Sequence, residues 1–501
     1  MLRGWVVSVR ARSPRFAAVS GFLVALPQFL LLGGCLLTDK SDPALTIPDH
    51  YTYGPRSERA AEAALPPLDW WRAFRSRELS AIIEEAREAN LDIAAAVARV
   101  VQADAQARIT GAALLPTLDA DGSATQSKSS ANTGGGARRN LFSASLAASY
   151  EIDFWGKNRA ALRALEEGAV AARYEREVVG MTVVAAAANA YFQVLTAQDR
   201  LAAARENLTA ATRVLNLINQ RVQAGTASQL DISQQESLVN TLRAAIPQLE
   251  QTARQNRVAL AVLVARPPEN VFVRGGTLRS IAIPRVTPGL PSELLGQRPD
   301  IRQAEALLAA ADANVENARA QFFPSITLTG EGGYQSLVLR TLFTPQSQFY
   351  SIAAGITQPI FDGGRLLGNL DLQKGRQDEL LQNYRKSVIS GFADVENALD
   401  DIRKTTQREQ LQREVVTSSR RAFDISEERL RGGTVDLITV LQTQQTLFNA
   451  QDALALARLA RLQAIVSLYQ ALGGGWLPKP EPEQIASIPM PPVPPVDRDA
   501  R

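Results

Sequence analysis

The stretch from Gly363 to Leu472 constrains the fold more than any other. It follows Gln358-Pro359-Ile360-Phe361-Asp362-Gly363-Gly364, which reads as the end of a strand, and it contains no proline. A turn at Gly432-Gly433-Thr434 divides it into an outward run and a return run. Runs without proline and poor in Gly, Asn and Asp clusters read as helix. The outward arm of about 69 residues spans roughly 100 Å as continuous helix. No ordinary globular domain needs a helix of that length. The arm is a spacer that reaches somewhere, with a tight tip at its far end.

The same object occurs twice. Asp92-Ile93 answers to Asp300-Ile301, Pro116 to Pro324, Asn189-Ala190 to Asn397-Ala398, and Gly225-Thr226 to Gly433-Thr434, every pair 208 residues apart. Each copy reads as helix, alternating strand, loop, alternating strand, long helix, tip and return helix. Arrays of helical repeats use periods of tens of residues and carry no such strand pairs.

The strands are the most informative short segments. From Leu141 to Phe154 the even positions are Phe142, Ala144, Leu146, Ala148, Tyr150, Ile152 and Phe154, against Ser143, Ser145, Ala147, Ser149, Glu151 and Asp153. That is a period of two. Thr117 to Ala124 sets Leu118, Ala120, Gly122 and Ala124 against Thr117, Asp119, Asp121 and Ser123. In the second copy Ile326, Leu328, Gly330 and Tyr334 oppose Ser325, Thr327, Thr329 and Glu331, and Tyr350, Ile352, Ala354, Ile356 and Ile360 line one face of a fourth strand. Strands of about ten residues, apolar on one face and small and polar on the other, suit a transmembrane barrel. Backbone groups in lipid must all pair, so the barrel must close. Four strands cannot close around water, since the smallest barrels use about eight. Several chains therefore share one barrel.

The remaining segments read as follows. Residues 1–35 look like an export signal: an Arg-bearing start, an apolar run from Phe16 to Leu32 broken by Pro27, then Leu32-Gly33-Gly34-Cys35. Residues 36–75 are Pro-rich and end in Asp69-Trp70-Trp71, an extended arm expected to pack on the body. Leu79 to Leu115 is expected to be one helix ended by Pro116, with Asp300 to Phe323 as its counterpart. The first long helix is expected from about Gly156 to Ala224. Leu201, Ala204, Leu208, Ala211, Leu215, Ile218 and Val222 give it a heptad seam of left-handed coiling. Leu238, Leu242, Ala245, Leu249, Ala259 and Leu263 continue the seam on the return helix, which Pro247 is expected to kink. Val416, Phe423 and Leu430 keep the seven-residue spacing in the second copy. Gly134-Gly135-Gly136 reads as a surface loop between two strands.

Composition narrows the chemistry. The net charge of +3 misleads, because residues 1–34 carry four arginines and no acid, and without them the balance is −1. Such a balance gives no argument for nucleic acid. One cysteine, Cys35, and one histidine, His50, exclude a disulfide framework and speak against a Cys/His metal site. No acid, base or nucleophile sits in a recognisable catalytic arrangement, and no catalytic or metal-binding residue is assigned.

Together these residues resemble the TolC-like outer membrane factor family, and within it the efflux lipoproteins of RND-type pumps. The resemblance runs from Cys35 to about Trp476. It rests on Leu32-Gly33-Gly34-Cys35, which resembles a bacterial lipobox, Asp153-Phe154-Trp155-Gly156, Gln358-Pro359-Ile360-Phe361-Asp362-Gly363-Gly364, the two tips, and Thr446-Leu447-Phe448-Asn449-Ala450. It implies an α+β membrane protein: a homotrimer whose twelve-stranded outer membrane β-barrel, four strands per chain, continues into a periplasmic α-helical barrel. It implies a lipoprotein signal over 1–34 and an N-terminal equatorial arm over 35–78. The first repeat would span 79–290, with strands near 116–126 and 141–154. The second would span 291–475, with strands near 324–334 and 349–361. A Pro-rich tail fills 476–501. It further implies a lipid on Cys35 and no other cofactor. Outer membrane lipid, a periplasmic adaptor and an inner membrane pump are the implied partners. The adaptor contact maps onto Ala224, Gly225, Thr226, Gly432, Gly433 and Thr434. The family's gate often carries aspartates after the second tip. Here the matching positions are Thr439 and Gln442, so Asp436, Asp231, Arg429 and Arg431 are the charged candidates. The implied function is a passive exit duct for small molecules, not an enzyme. A duct for protein secretion driven by ATP, or an envelope spacer without transport, are the alternatives.

Overall fold

The computed structural model describes residues 45, 47–48, 50–53, 66–128, 130, 138–286, 288–289, 291–474 and 476. The signal segment, Cys35, Gly134-Gly135-Gly136 and the tail beyond Trp476 lie outside them. Two compact units emerge, and both draw on both repeats. One gathers Gln102–Ala169 and Ala306–Asn383; the other gathers the described residues of Leu45–Val101, Val170–Glu305 and Tyr384–Arg501.

The elements follow the doubled plan. In the first copy they are α1 (Arg77–Ala89), α2 (Leu91–Gly111), β1 (Thr117–Lys128), β2 (Arg138–Ile152), α3 (Lys157–Gln223) and α4 (Gln229–Leu263). In the second they are α5 (Pro291–Gln297), α6 (Pro299–Ala320), β3 (Ser325–Ser336), β4 (Gln348–Thr357), α7 (Arg365–Arg431) and α8 (Leu437–Ala471). The long helices α3 and α7 have 67 residues each and the return helices 35 each. Helix α4 runs unbroken through Pro247.

Several boundaries differ from the sequence expectation. The helix expected over 79–115 is two helices, divided at Asn90. That residue is extended, its Oδ1 accepts from the backbone N–H groups of Asp92 and Ile93, and its Nδ2 donates to the Leu263 carbonyl at 2.9 Å. The counterpart, expected from Asp300, starts at Pro299 after the separate short helix α5. Strand β2 starts three residues early, at Arg138, and ends at Ile152 rather than at 154. The Asp153 carboxylate is committed to capping α3, accepting from Asn158 N at 3.0 Å and Arg159 N at 2.9 Å. Strand β4 ends at Thr357, so Ile360 is not part of it. Pro359 has no N–H to offer a ladder. Asp362 instead caps the Gly363-Gly364 turn through Gly364 N and Leu366 N.

In the first unit the four strands form one antiparallel sheet in the order β1-β2-β3-β4. The register carries the alternation across all four. Leu118, Ala148, Gly330 and Ile352 stand in line on one face, and Asp119, Ala147, Glu331 and Ser351 on the other. Strands β1 and β4 are open edges. Below the strand ends, Trp155 stacks on Phe323 at 4.6 Å and donates its indole N–H to the Pro324 carbonyl at 2.9 Å.

The second unit has a conventional core. Trp70, Trp71 and Phe74 form a 3-10 turn buried against Phe192, Leu195, Leu260 and Tyr469, and Trp70 stacks on Tyr469 at 4.7 Å. Each such ring, fully buried, contributes about 1.5–3 kcal/mol. The described end of the arm is thus a 3-10 turn, not extended chain, packed on the body. Nearby, Glu409 of α7 is buried under three guanidinium groups, with Arg458 at 2.8 Å, Arg461 at 2.9 Å and Arg413 at 2.5 Å. Arg458 also donates to the carbonyls of Leu278 and Ile281. Burial pushes the Glu409 carboxyl up, but the hydrogen bonds from Arg461, Arg413 and Arg458 outweigh it and hold it below its ordinary range.

The heptad seam is shifted in detail. Asn207, Ala211, Val214 and Ile218 are buried within the chain, while Leu201, Leu208 and Leu215 are half-buried. On α4 the buried positions are Gln235, Val239, Leu260 and Ala261, and Ala259 is exposed.

Candidate functional site

Both tips are helix ends of one design. In the first, Gly225 N donates to the Val222 carbonyl at 3.0 Å and Thr226 N to the Arg221 carbonyl at 2.8 Å. In the second, Gly433 N donates to Leu430 O at 3.1 Å and Thr434 N to Arg429 O at 2.9 Å. This paired pattern is a Schellman motif, which needs a left-handed residue after the helix. Gly225 has φ 71° and Gly433 φ 70°. The threonine hydroxyls of both tips donate to the same arginine carbonyls as their N–H groups do. A Cβ on Gly225 would meet nothing within 4 Å, and one on Gly433 only the Arg221 guanidinium at 3.9 Å. Conformation, not crowding, selects glycine there, and the space above each turn is open. Ala224, Thr226, Gly432 and Thr434 are exposed around them.

The return helices start on side-chain caps. Ser228 accepts from Asp231 N and Asp231 accepts from Ser228 N, a reciprocal capping box. In the second copy Asp436 accepts from Thr439 N at 2.9 Å. Hydrogen bonds from Thr439 hold the Asp436 carboxyl below its ordinary range, so it is an anion at neutral pH.

The six gate candidates do not pair with one another as ions within the chain. Asp231 and Asp436 serve as caps, and Thr439 is the residue that Asp436 caps. Arg431 pairs with Glu427 at 2.7 Å, and Arg213 of α3 grips the same carboxylate with two bonds, at 2.8 and 3.0 Å. Arg429 and Gln442 are exposed.

Two features escaped the sequence reading. Arg221 of α3 reaches across the tips and donates to the Leu430 carbonyl at 2.7 Å. Its equivalent at the 208-residue offset is Arg429, a relation visible in the repeat once Arg221 is singled out. Behind the tips, Val214, Ile218, Phe423, Leu430, Leu437, Val440, Leu447 and Phe448 form an apolar cluster. Gln235 and Gln444 lie fully buried nearby, and Gln235 donates to the Ala211 carbonyl at 2.9 Å. No spacing marks these two glutamines, one on each return helix, as buried.

Among the described residues no group of His, Cys, Asp and Glu could hold a metal ion. The site combines two exposed turns with charged caps and a packed apolar cluster behind them.

The sequence model of the outer membrane efflux protein family matches residues 82–266 and 290–474, two segments whose starts differ by the repeat offset. The chain is 41% identical over 456 residues to the pyoverdine export outer membrane protein OpmQ of Pseudomonas aeruginosa, covering 89% of this chain and 95% of that one. It is 32% identical over 453 residues to the toluene efflux pump outer membrane protein TtgC of Pseudomonas putida, covering 89% and 94%. Among solved structures, the Campylobacter jejuni CmeC outer membrane channel superposes with a TM-score of 0.83 at 26% identity, covering 89% of this chain and 96% of that one. The outer-membrane channel OprN superposes with a TM-score of 0.80 at 27% identity, covering 87% and 99%. On matches to both halves and on relatives aligned over nearly their whole length, the chain belongs to the outer membrane efflux protein family.

Proposed function

We propose that this chain is the passive exit duct of a tripartite efflux system, a homotrimer docked through its tips to a periplasmic adaptor and an inner membrane pump. The observation that carries the docking assignment is the pair of matching Schellman turns with open space above their glycines. A turn of that kind lets a second backbone approach closely. Ala224, Gly225, Thr226, Gly432, Gly433 and Thr434 form the adaptor contact in this reading. Cys35 carries the lipid, and the apolar face of the sheet meets the membrane.

The gate follows from the repeat. Arg221 ties its own chain at Leu430, the equivalent of Val222. In a ring of alternating copies, Arg429 takes the same role toward Val222 of the partner subunit. The gate is then a ring of guanidinium-to-carbonyl ties rather than a ring of acids. Asp231, Asp436, Thr439 and Gln442 line the tunnel beside it, and Arg431 is braced by Glu427. The relatives at 41% identity are named for pyoverdine export and those at 32–33% for toluene, solvent and antibiotic efflux. The cargo assigned here is accordingly a small organic solute.

A photo-crosslinking residue at Thr434 in the native cell tests the docking. Capture of an adaptor of a proton-driven pump is the expected result. Capture of an adaptor of an ATP-driven protein exporter would replace this function by secretion. No capture, together with no conductance of the purified chain in bilayers, would leave a structural spacer.

A further inference from the structure

The sheet sorts its charges by end. Residues 122–150 contain Lys128, Arg138 and Arg139 and no carboxylate, and residues 332–361 contain Arg340 and none. The carboxylates of the sheet, Asp119, Asp121, Glu151 and Glu331, all lie toward the other end. The register makes this sorting spatial. Lys128 stands directly opposite Arg138, and Ser127 opposite Arg139. Like charges facing each other across a ladder repel, and neither connecting loop contains an acid to offset them.

One face shows a graded sequence toward that end. The pairs run Leu118 with Ala148, Ala120 with Leu146, Gly122 with Ala144 and Ala124 with Phe142. Next come Gln126 and Asn140, whose side chains hydrogen-bond at 3.0 Å, and then Lys128 and Arg138. At about 3.4 Å per residue the cations lie roughly 14 Å along the strand from Ala124. Apolar, then neutral polar, then cationic is the profile of a leaflet crossed from acyl chain to headgroup.

The connection between β3 and β4 adds a second observation. It starts level with Phe142, which pairs with Ser336. Leu337, Val338, Leu339 and Phe343 are exposed in it, Phe343 at 71%. The loop is braced rather than slack: Ser336 and Thr341 share a hydroxyl bond at 2.7 Å, and Ser347 donates to the Thr341 carbonyl at 2.8 Å. Phe343 sets its ring edge-on to Tyr334, a residue of the apolar face, at 5.5 Å.

We propose that this rim binds the phosphorylated glycolipid of the outer leaflet, lipid A. Lys128 and Arg138 take a phosphate, Arg340 adds to the positive field, and Leu337, Leu339 and Phe343 pack on acyl chains. The assignment rests on the outer membrane reading, which turns this end of the sheet outward. The lipid supplies the counter-charge that residues 122–150 and 332–361 do not contain and apolar cover for the exposed side chains of the loop.

The test uses the purified full-length chain in detergent, titrated with diphosphoryl lipid A and, separately, with the same lipid dephosphorylated. Each basic side chain near an anionic surface contributes about fivefold. Lys128→Gln with Arg138→Gln should weaken diphosphoryl lipid A binding by roughly tenfold or more. Phe343→Ser should weaken both lipids alike. Equal binding by the wild type and the double variant would overturn the proposal. So would displacement of the lipid by inorganic phosphate at comparable concentration, which marks a simple anion site. Conductance of the same preparation in neutral bilayers separates the two readings. Channels without a lipid A preference overturn only the rim assignment, whereas absence of channels overturns the duct.

Discussion

Glu409 shows how much one side chain can hold. It keeps α7 beside α8, and through Arg458 it keeps α8 on the segment near Leu278. Glu409→Gln leaves Arg458 and Arg461 without their counter-charge, and breaking a buried pair in this way costs about 3–5 kcal/mol. The urea midpoint of the purified protein should fall accordingly. The pH dependence has a definite sign. The folded carboxyl lies below its unfolded value, so its contribution is complete above the unfolded carboxylate pKa and is lost as pH falls through the folded one. Titration below neutrality should therefore destabilise the wild type more steeply than the Gln variant; parallel curves would remove Glu409 as the cause. Gly433 is the opposite case, a residue that matters by having no side chain. Gly433→Val forces a branched residue to a φ of 70°, at a cost of about 1–2 kcal/mol or more. Capture of the adaptor by the assembled protein should drop. Unchanged capture would separate the turn from docking.

The elements show which parts of such a chain can be read in advance. The strands and long helices were legible because their periods of two and three to four are written locally, and the repeat doubled every signal. The tip turns were legible because glycine at each tip has a backbone reason. What failed to show depended on distant partners. The break at Asn90 rests on a carbonyl at Leu263, which no local pattern announces. Glu409, Arg213 and Glu427 look like solvated helix charges until the neighbouring helix is in place. The ends of β2 and β4 were misplaced because Asp153 and Asp362 cap helices instead of extending strands. At this scale the ties at the tip are the point to test. Arg221→Ala breaks a tie within one chain, and in the proposed gate Arg429→Ala would break the equivalent tie between chains. Each should raise single-channel conductance in bilayers, with the double change exceeding either single one. If Arg429→Ala leaves conductance at the wild-type level, the ring of carbonyl ties is wrong.

For the molecule as a whole, the doubled plan has a use. Two copies in one chain give one unit a strand pair from each half and the other unit a helix hairpin from each half, so three identical chains present six similar faces. The copies are alike but not identical. One tip is Ala224-Gly225-Thr226 with a capping box behind it, and the other is Gly432-Gly433-Thr434 with a lone aspartate cap. In the proposed docking, adaptors at the two tips of each chain would therefore meet different surfaces. Photo-crosslinking at Thr226 and at Thr434 should give products in unequal yield, and equal yields would mark the tips as interchangeable.

The open edges of the sheet set the conditions of birth. A lone chain in lipid would leave the outer N–H and C=O groups of β1 and β4 without partners, each at a cost of several kcal/mol. A single exported copy therefore has nowhere stable to go in the bilayer. It must wait in the periplasm for its neighbours, and arrival in the membrane becomes a matter of encounter frequency. At low expression, channel number should rise faster than in proportion to the amount of chain made.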